Sequence, residues 1–234
     1  MDYLFTTLLI LHIISGILAL VTGSIAIFTR KGGKPHKKGG RIYYLSMLGV
    51  AFTALTMSAW KDNQFLLAVG IFSLYMAYTG NRAVKRRKDE GRIHQILDDV
   101  LLVGAFLGGG WLLYLGGPTL WQGYFGMNIV SVVFGLFTAG MAVEDLGRRF
   151  SDRRFDKKAN LLLHISRMGG AFIATFTAFL VTNVYIEPFW MVWLAPTVVG
   201  STLMAIATRK WRKKLYPKGR KKALAAKTIP SQAG

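Results

Sequence analysis

Seven apolar stretches, each about 17–27 residues long, follow one another along the chain: Tyr3–Thr29, Ile42–Trp60, Gln64–Gly80, Ile93–Leu115, Leu120–Val143, Leu161–Tyr185 and Phe189–Thr208. A helix of that length crosses about 30 Å of hydrocarbon, so the stretches predict an all-α, polytopic bundle of seven transmembrane helices over residues 1–208. They also exclude an ordinary soluble domain. Only 18% of the 234 residues are charged and 52% are hydrophobic, against roughly 25% charged in soluble domains.

The charges that remain are ordered. Of the 30 Lys and Arg residues, 28 fall in four clusters, at 30–41, 82–92, 148–158 and 209–227. These clusters follow the first, third, fifth and seventh stretches. The positive-inside rule then puts the N-terminus outside and the C-terminus inside, most simply in the cytoplasmic (inner) membrane of a bacterium. A net charge of +19 distributed in this way points to anionic lipid headgroups, at about 1 kcal/mol per basic residue near the surface, and not to nucleic acid. Residues 209–234 read as a basic, partly disordered cytoplasmic tail. A membrane-protein partner or a second copy of the chain is the other expected contact.

An internal repeat is visible. Gly40-Arg41-Ile42 precedes Trp60, and Gly91-Arg92-Ile93 precedes Trp111, at the same interval of 20 residues. Ser46, Gly49, Ala51, Phe52 and Ala54 recur as Ser166, Gly169, Ala171, Phe172 and Ala174 at a shift of 120. This suggests three helical hairpins, spans 1–2, 3–4 and 5–6, plus one helix. Gly104-x3-Gly108, continuing into Gly109 and Gly110, and Gly169-Gly170 predict close helix contacts. The Gly-rich basic run from Lys31 to Gly40 reads as a loop at the lipid surface.

Ionisable residues within spans are costly to bury, and so they are the candidate functional groups. They are His12 in span 1, His94, Asp98 and Asp99 in span 4, Glu144 and Asp145 at the end of span 5, and His164 and Arg167 in span 6, with His36 in the first inner loop. His94 and Asp98, at i and i+4, share a helix face, whereas Asp99 points elsewhere. Several readings follow. In a structural network, Arg167 pairs with Asp98 or Asp99. In a cofactor site, His94 and His164 ligate one haem b on the inner side, with His36 as a substitute ligand. A divalent metal could instead sit among His36, His94, Asp98 and His164, with Asp98 orienting a histidine. A proton- or ion-coupled transporter is a further reading. With no cysteine, thiolate metal sites and iron–sulfur clusters are excluded. No Walker A loop, dinucleotide fingerprint, HExxH or GxSxG motif occurs, and the chain leaves enzymatic activity open.

His12-x3-Gly16-x2-Ala19-Leu20-x2-Gly23, then Arg30-Lys31-Gly32, then His36-Lys37-x2-Gly40-Arg41-Ile42-Tyr43 resembles an uncharacterised family of predicted bacterial multi-pass membrane proteins. That family carries a histidine in its first helix and a His-(Arg/Lys)-x-x-Gly-Arg-x-Tyr stretch opening the second. The resemblance covers about 40 residues. It implies fold and location, marks His12 and His36, and brings no activity. Where the family tends to carry His-Arg-x-Trp-Met before its fourth helix, this chain has His94-Gln95-Ile96-Leu97. In kind, the helix histidines are similar to those of diheme b-type cytochromes. The expected function is a redox membrane protein with one haem b or metal on its inner side. The alternative is a non-catalytic accessory, scaffold or lipid-binding subunit.

The orientation has a direct test, since the native chain has no thiol. Single cysteines at Lys38 and Lys88 should resist impermeant thiol reagents in intact cells, and a cysteine at Asn63 should label. The reverse pattern would invert the topology.

Overall fold

The computed structural model describes residues 2–86, 91–122, 127–186 and 190–217. These form seven helices, with no strand among them: α1 (Asp2–Phe28), α2 (Lys34–Lys61), α3 (Gln64–Lys85), α4 (Arg92–Trp121), α5 (Met127–Arg149), α6 (Lys157–Asn183) and α7 (Trp190–Leu215). A single 3-10 turn, Asp152–Phe155, joins α5 to α6. Five of the seven, α1, α2, α4, α5 and α6, are long and apolar enough to cross a membrane. Their outward faces are apolar: on α1 alone Ile10, Ile13, Ile14, Ile17 and Val21 are each half exposed, which is the pattern of a surface solvated by lipid.

Several boundaries differ from the sequence expectation: Leu120 and Trp121, expected to open span 5, end α4 instead, and α5 begins at Met127. The run Lys34–Gly40 is not loop but the first turns of α2, entered through Gly33 in extended conformation with Pro35 in the first turn, where the missing proline N–H costs nothing. Only a short turn at Gly32, with φ +78°, joins α1 to α2. Gly39 survives inside the helix because a Cβ there would come within 3.1 Å of the Thr22 carbonyl oxygen. At the other end, α7 continues to Leu215, so residues 209–215 are helix and not tail. Residues 218–234, the rest of the expected tail, lie outside the described residues, as does Lys88.

α3 is the hub. It packs against α2, α4, α5 and α6, while α1 closes a ring by touching α2 and α6, α4 lies along α5, and α7 packs on α6 alone. Enclosed on all sides, α3 needs no lipid-facing stripe, and its sequence reflects this: Ser73, Tyr75 and Arg82 are buried among Ala68, Phe72, Met76 and Ala77. The Phe72 and Phe134 rings meet edge to face at 4.9 Å, a favoured aromatic arrangement. Of the three expected hairpins, only α1–α2 is a closely packed pair. α5 and α6 have no Cα atoms within 8 Å of each other, and α4 is held far more by α5 than by α3.

The α4–α5 contact runs through one glycine of the run expected from the sequence, Gly109. A Cβ on Gly109 would lie 3.0 Å from the Ala139 nitrogen, and one on Gly135 would lie 3.0 Å from the Gly109 oxygen. Gly104 and Gly110 have no neighbour within 4 Å. On α6, Gly169 and Gly170 fit against Met204 and Met76. Gly109→Val should therefore destabilise the detergent-solubilised protein by about 1–3 kcal/mol, with Gly104→Val close to neutral. Thermal unfolding of both variants tests this, and equal losses would refute the Gly109–Gly135 contact.

Candidate functional site

The polar residues collect at the end of the bundle where the basic clusters lie, in two groups on either side of α3. The first group is ionic. The Asp98 side chain, 8% exposed, accepts from Arg82 Nε at 3.0 Å and Arg86 Nη2 at 3.0 Å. It also accepts from the Tyr78 hydroxyl at 3.0 Å, with Arg154 Nη2 at 3.7 Å. Asp99, rotated away from it, takes Arg149 at 2.7 Å.

Arg167 is 3% exposed, and its guanidinium reaches Glu144 at 3.1 Å and Asp145 at 3.4 Å. It lies 5.8 Å from the centre of the Tyr75 ring, whose hydroxyl donates to Asp145 at 2.8 Å. The expected pairing of Arg167 with Asp98 or Asp99 is thus corrected. No Cα atoms of α4 and α6 approach within 8 Å, so the arginine is answered from α5, across the side of α3. Between these carboxylates and tyrosines is a cavity of about 30 Å³, lined in part by Tyr75, Tyr78, Asp98, Asp145 and Arg154. That is room for a water or two and for no metabolite.

Arg82, Arg86, Arg154, Tyr75 and Tyr78 were not singled out in the sequence, because the basic clusters read as lipid-facing. A signal was present. Tyr75, Tyr78, Arg82 and Arg86 follow one another at three- and four-residue steps, which is one polar stripe running along α3 and ending at its C-cap.

The second group is built on imidazoles. His36, in the first turn of α2, places Nδ1 2.9 Å from the Ala26 carbonyl oxygen at the end of α1. His164, in the second turn of α6, places Nδ1 2.8 Å from the Gly80 carbonyl oxygen of α3. A carbonyl only accepts, so each Nδ1 carries a proton, and a ring that holds only that proton keeps its Nε2 lone pair. The ring centres lie 6.4 Å apart with the planes at 80°. Above them, Tyr43 faces Phe172 at 6.3 Å and Thr175 meets the Met47 sulfur at 3.2 Å. The pairs advance together, so α2 and α6 run parallel and are spaced by side chains. Lys31 donates to the same Ala26 oxygen at 3.0 Å, and its partial burial lowers its pKa from the ordinary lysine value.

The other candidates stand apart. His94 is exposed at the start of α4, on a helix that does not approach α6, so the convergence of His94 with His164 expected from the sequence is replaced by His36 with His164. Asp98 is taken up by arginines and orients no histidine. Among the described residues, no group of three or more His, Asp or Glu side chains is placed to hold one metal ion. His12, far along α1, donates from Nδ1 to Thr53 at 2.8 Å, while the Thr53 hydroxyl donates to the Gly49 carbonyl at 2.7 Å.

Removing one member of a buried ion pair strands the other, at a cost of about 3–5 kcal/mol. Arg167→Leu should destabilise by that amount, and adding Asp145→Leu should restore part of it. Adding Asp98→Leu should make matters worse, since Arg82 and Arg86 then lose their carboxylate. Unfolding of the three variants in detergent checks this, and recovery with Asp98→Leu would refute the pairing. No family model, no curated protein and no solved structure matches this chain.

Proposed function

We propose that this chain is a multi-pass protein of a bacterial cytoplasmic membrane, N-terminus outside and basic ends inside, that binds a metal ion at the inner ends of α2 and α6. The proposal includes kinship with the uncharacterised membrane family that His12 and the His36–Tyr43 stretch resemble, and attraction of the basic inner ends to anionic lipid. One observation carries the metal site: two histidines from different helices meet edge to face with ring centres 6.4 Å apart, each with Nδ1–H fixed by a backbone carbonyl at 2.8–2.9 Å. That outer hydrogen bond is the device by which proteins set the tautomer and direction of a ligating imidazole.

The ionic group on the other side of α3 offers no metal ligand. Its carboxylates are answered by arginines and tyrosines, and its effect is to pin α3, α4, α5 and the 3-10 turn together.

A haem does not fit between these histidines. A Cβ on Gly39 would already meet the Thr22 oxygen at 3.1 Å, and one on Gly80 would meet the Met168 sulfur at 2.9 Å. One layer deeper, the Tyr43 and Phe172 rings close the gap at 6.3 Å. A macrocycle would have to push apart α1 from α2 and α3 from α6, whereas a single ion needs only the space between the rings.

Metal analysis and absorbance of the purified protein test the reading. Expected are a bound metal with no Soret band, loss of the metal in His36→Ala and in His164→Ala, and its retention in His94→Ala and His12→Ala. A Soret band that depends on His36 and His164 would replace the ion by haem. Metal content indifferent to both substitutions would overturn the site.

A further inference from the structure

We infer that the small cavity in the ionic group holds a halide ion, chloride as the abundant one, against the guanidinium of Arg154. The inference is independent of the metal-site reading, since the two sites lie on opposite sides of α3.

It starts from an arginine with nothing to bond. The Arg154 side chain is 9% exposed, and its Nη2 lies 3.7 Å from the nearest carboxylate oxygen, on Asp98. The centre of the Phe155 ring is 5.6 Å from its guanidinium carbon. Neither contact is a hydrogen bond, and among the described residues the guanidinium makes none. Asp98 has none left to give. Its two oxygens offer about four lone-pair positions, and four donors take them: Arg82 Nε at 3.0 Å, Arg82 Nη2 at 3.3 Å, Arg86 Nη2 at 3.0 Å and the Tyr78 hydroxyl at 3.0 Å. Three guanidinium groups thus gather round one carboxylate, all largely withdrawn from water. Arg86 Nε is also buried without a hydrogen-bond partner. A buried cation so placed calls for a further acceptor that carries negative charge.

Arg154 is held in this position. Its backbone N–H donates to the Ser151 carbonyl at 3.0 Å, and its own carbonyl accepts from the buried Asn160 side chain at 2.9 Å. The 3-10 turn therefore fixes the arginine against the cavity and keeps it from swinging out to solvent.

The space selects the ligand. The cavity measures about 30 Å³, with Arg86, Arg149 and Arg154 on its wall. A chloride ion, somewhat larger than a water molecule, fits there; phosphate, sulfate and organic anions do not. Asp98, Asp99 and Asp145 share the wall, but each is engaged by donors of its own. Arg149 holds Asp99 at 2.7 Å, and the Tyr75 hydroxyl and Arg167 hold Asp145 at 2.8 and 3.4 Å. Three arginines on the wall disfavour a cation. A water could accept from Arg154 but would leave its charge unanswered, whereas chloride does both. The basic residues clustered at this end of the bundle also raise the local concentration of small anions.

The test uses the full-length protein in detergent, exchanged into gluconate, a monovalent anion too large for the cavity, at constant ionic strength. Chloride added back should raise the unfolding temperature saturably at millimolar concentrations, and bromide should do the same. The chloride NMR line should broaden with occupancy. Arg154→Gln should bind chloride about tenfold more weakly, while Lys37→Gln, at an exposed lysine, binds as the native chain does. Stability separates the ion from a plain ion pair. In gluconate, Arg154→Gln should be at least as stable as the native chain, because an unanswered buried charge is gone. Arg82→Gln, which takes two donors from Asp98, should unfold at a lower temperature. Chloride binding unchanged in Arg154→Gln, or no difference between chloride and gluconate for the native chain, would overturn the site. So would a loss of stability in Arg154→Gln in gluconate, which would make Arg154 a structural partner of Asp98 beside a cavity filled by water.

Discussion

A charge taken into an apolar slab must bring its counter-charge with it, and the half of this bundle that carries the basic clusters is arranged around that requirement. Arg167 sits at 3% exposure on α6, a helix whose backbone does not approach α5. Its guanidinium nevertheless reaches Glu144 and Asp145 at the end of α5. The side chain is therefore a strut as well as a buried charge: with the 3-10 turn and the Arg148–Asn160 hydrogen bond at 2.6 Å, it holds α5 and α6 to one another. Asp98 does the same for α4, whose direct packing on α3 is slight and whose first turns are fixed by Arg82 and Arg86. Exposed ion pairs contribute little, but these are mostly withdrawn from water, and there the loss of one partner is expensive.

The same end of the molecule solves a second electrostatic problem differently. On the α1–α2 side of α3 the polar residues are imidazoles, which can stay neutral and satisfy carbonyls left free near helix ends. α3 separates the two chemistries, with Tyr75, Tyr78 and Arg82 facing α4 and α5 while the Gly80 carbonyl faces His164. A glycine is what permits this: any side chain at position 80 would meet Arg167 and Met168 at 2.9 Å and hold α6 away from the oxygen that orients its histidine.

Most of the architecture could be read from the sequence because it rests on length and hydrophobicity, which are properties of single segments. The seven helices and the apolar outer faces belong to that class. Which helix meets which does not, and apart from helix ends such as Lys34–Gly40 and 209–215 the readings that failed were of this kind. Arg167 was matched to span 4 by depth, but depth says nothing about azimuth, and α4 lies on the far side of α3. His94 and His164 shared a level and again lay on helices that do not meet. The glycine run of span 4 was legible as a close-contact surface, but not which of its members meets which helix: Gly109 faces α5 and Gly108 faces Ile71 of α3, while Gly104 and Gly110 face neither. His36 was legible as a candidate, although its placement in α2 was hidden by a glycine- and lysine-rich run that reads as loop until Pro35 is seen as a helix start. Arg82 and Arg86 were concealed by their own abundance, since a buried arginine and a lipid-facing one look alike within a basic cluster.

The ring of helices also fixes the order in which the molecule can be completed during synthesis. α1 and α2 are sequence neighbours and can pair as soon as both are inserted, and so can α4 and α5. α6 cannot be settled this way: its partners are α1, α3 and α7, two of which leave the ribosome long before it does. Until residue 183 is in the bilayer, the groove between α1 and α3 lies open to lipid, and Glu144 and Asp145 wait at the end of α5 without their arginine. Closure is therefore a late, non-local event, of the kind that is slow and exposed to misassembly. A chain halted before α6 would retain its inserted hairpins but present an acidic pair and an unfilled seam, marks by which a membrane quality-control protease could tell the incomplete bundle from the finished one.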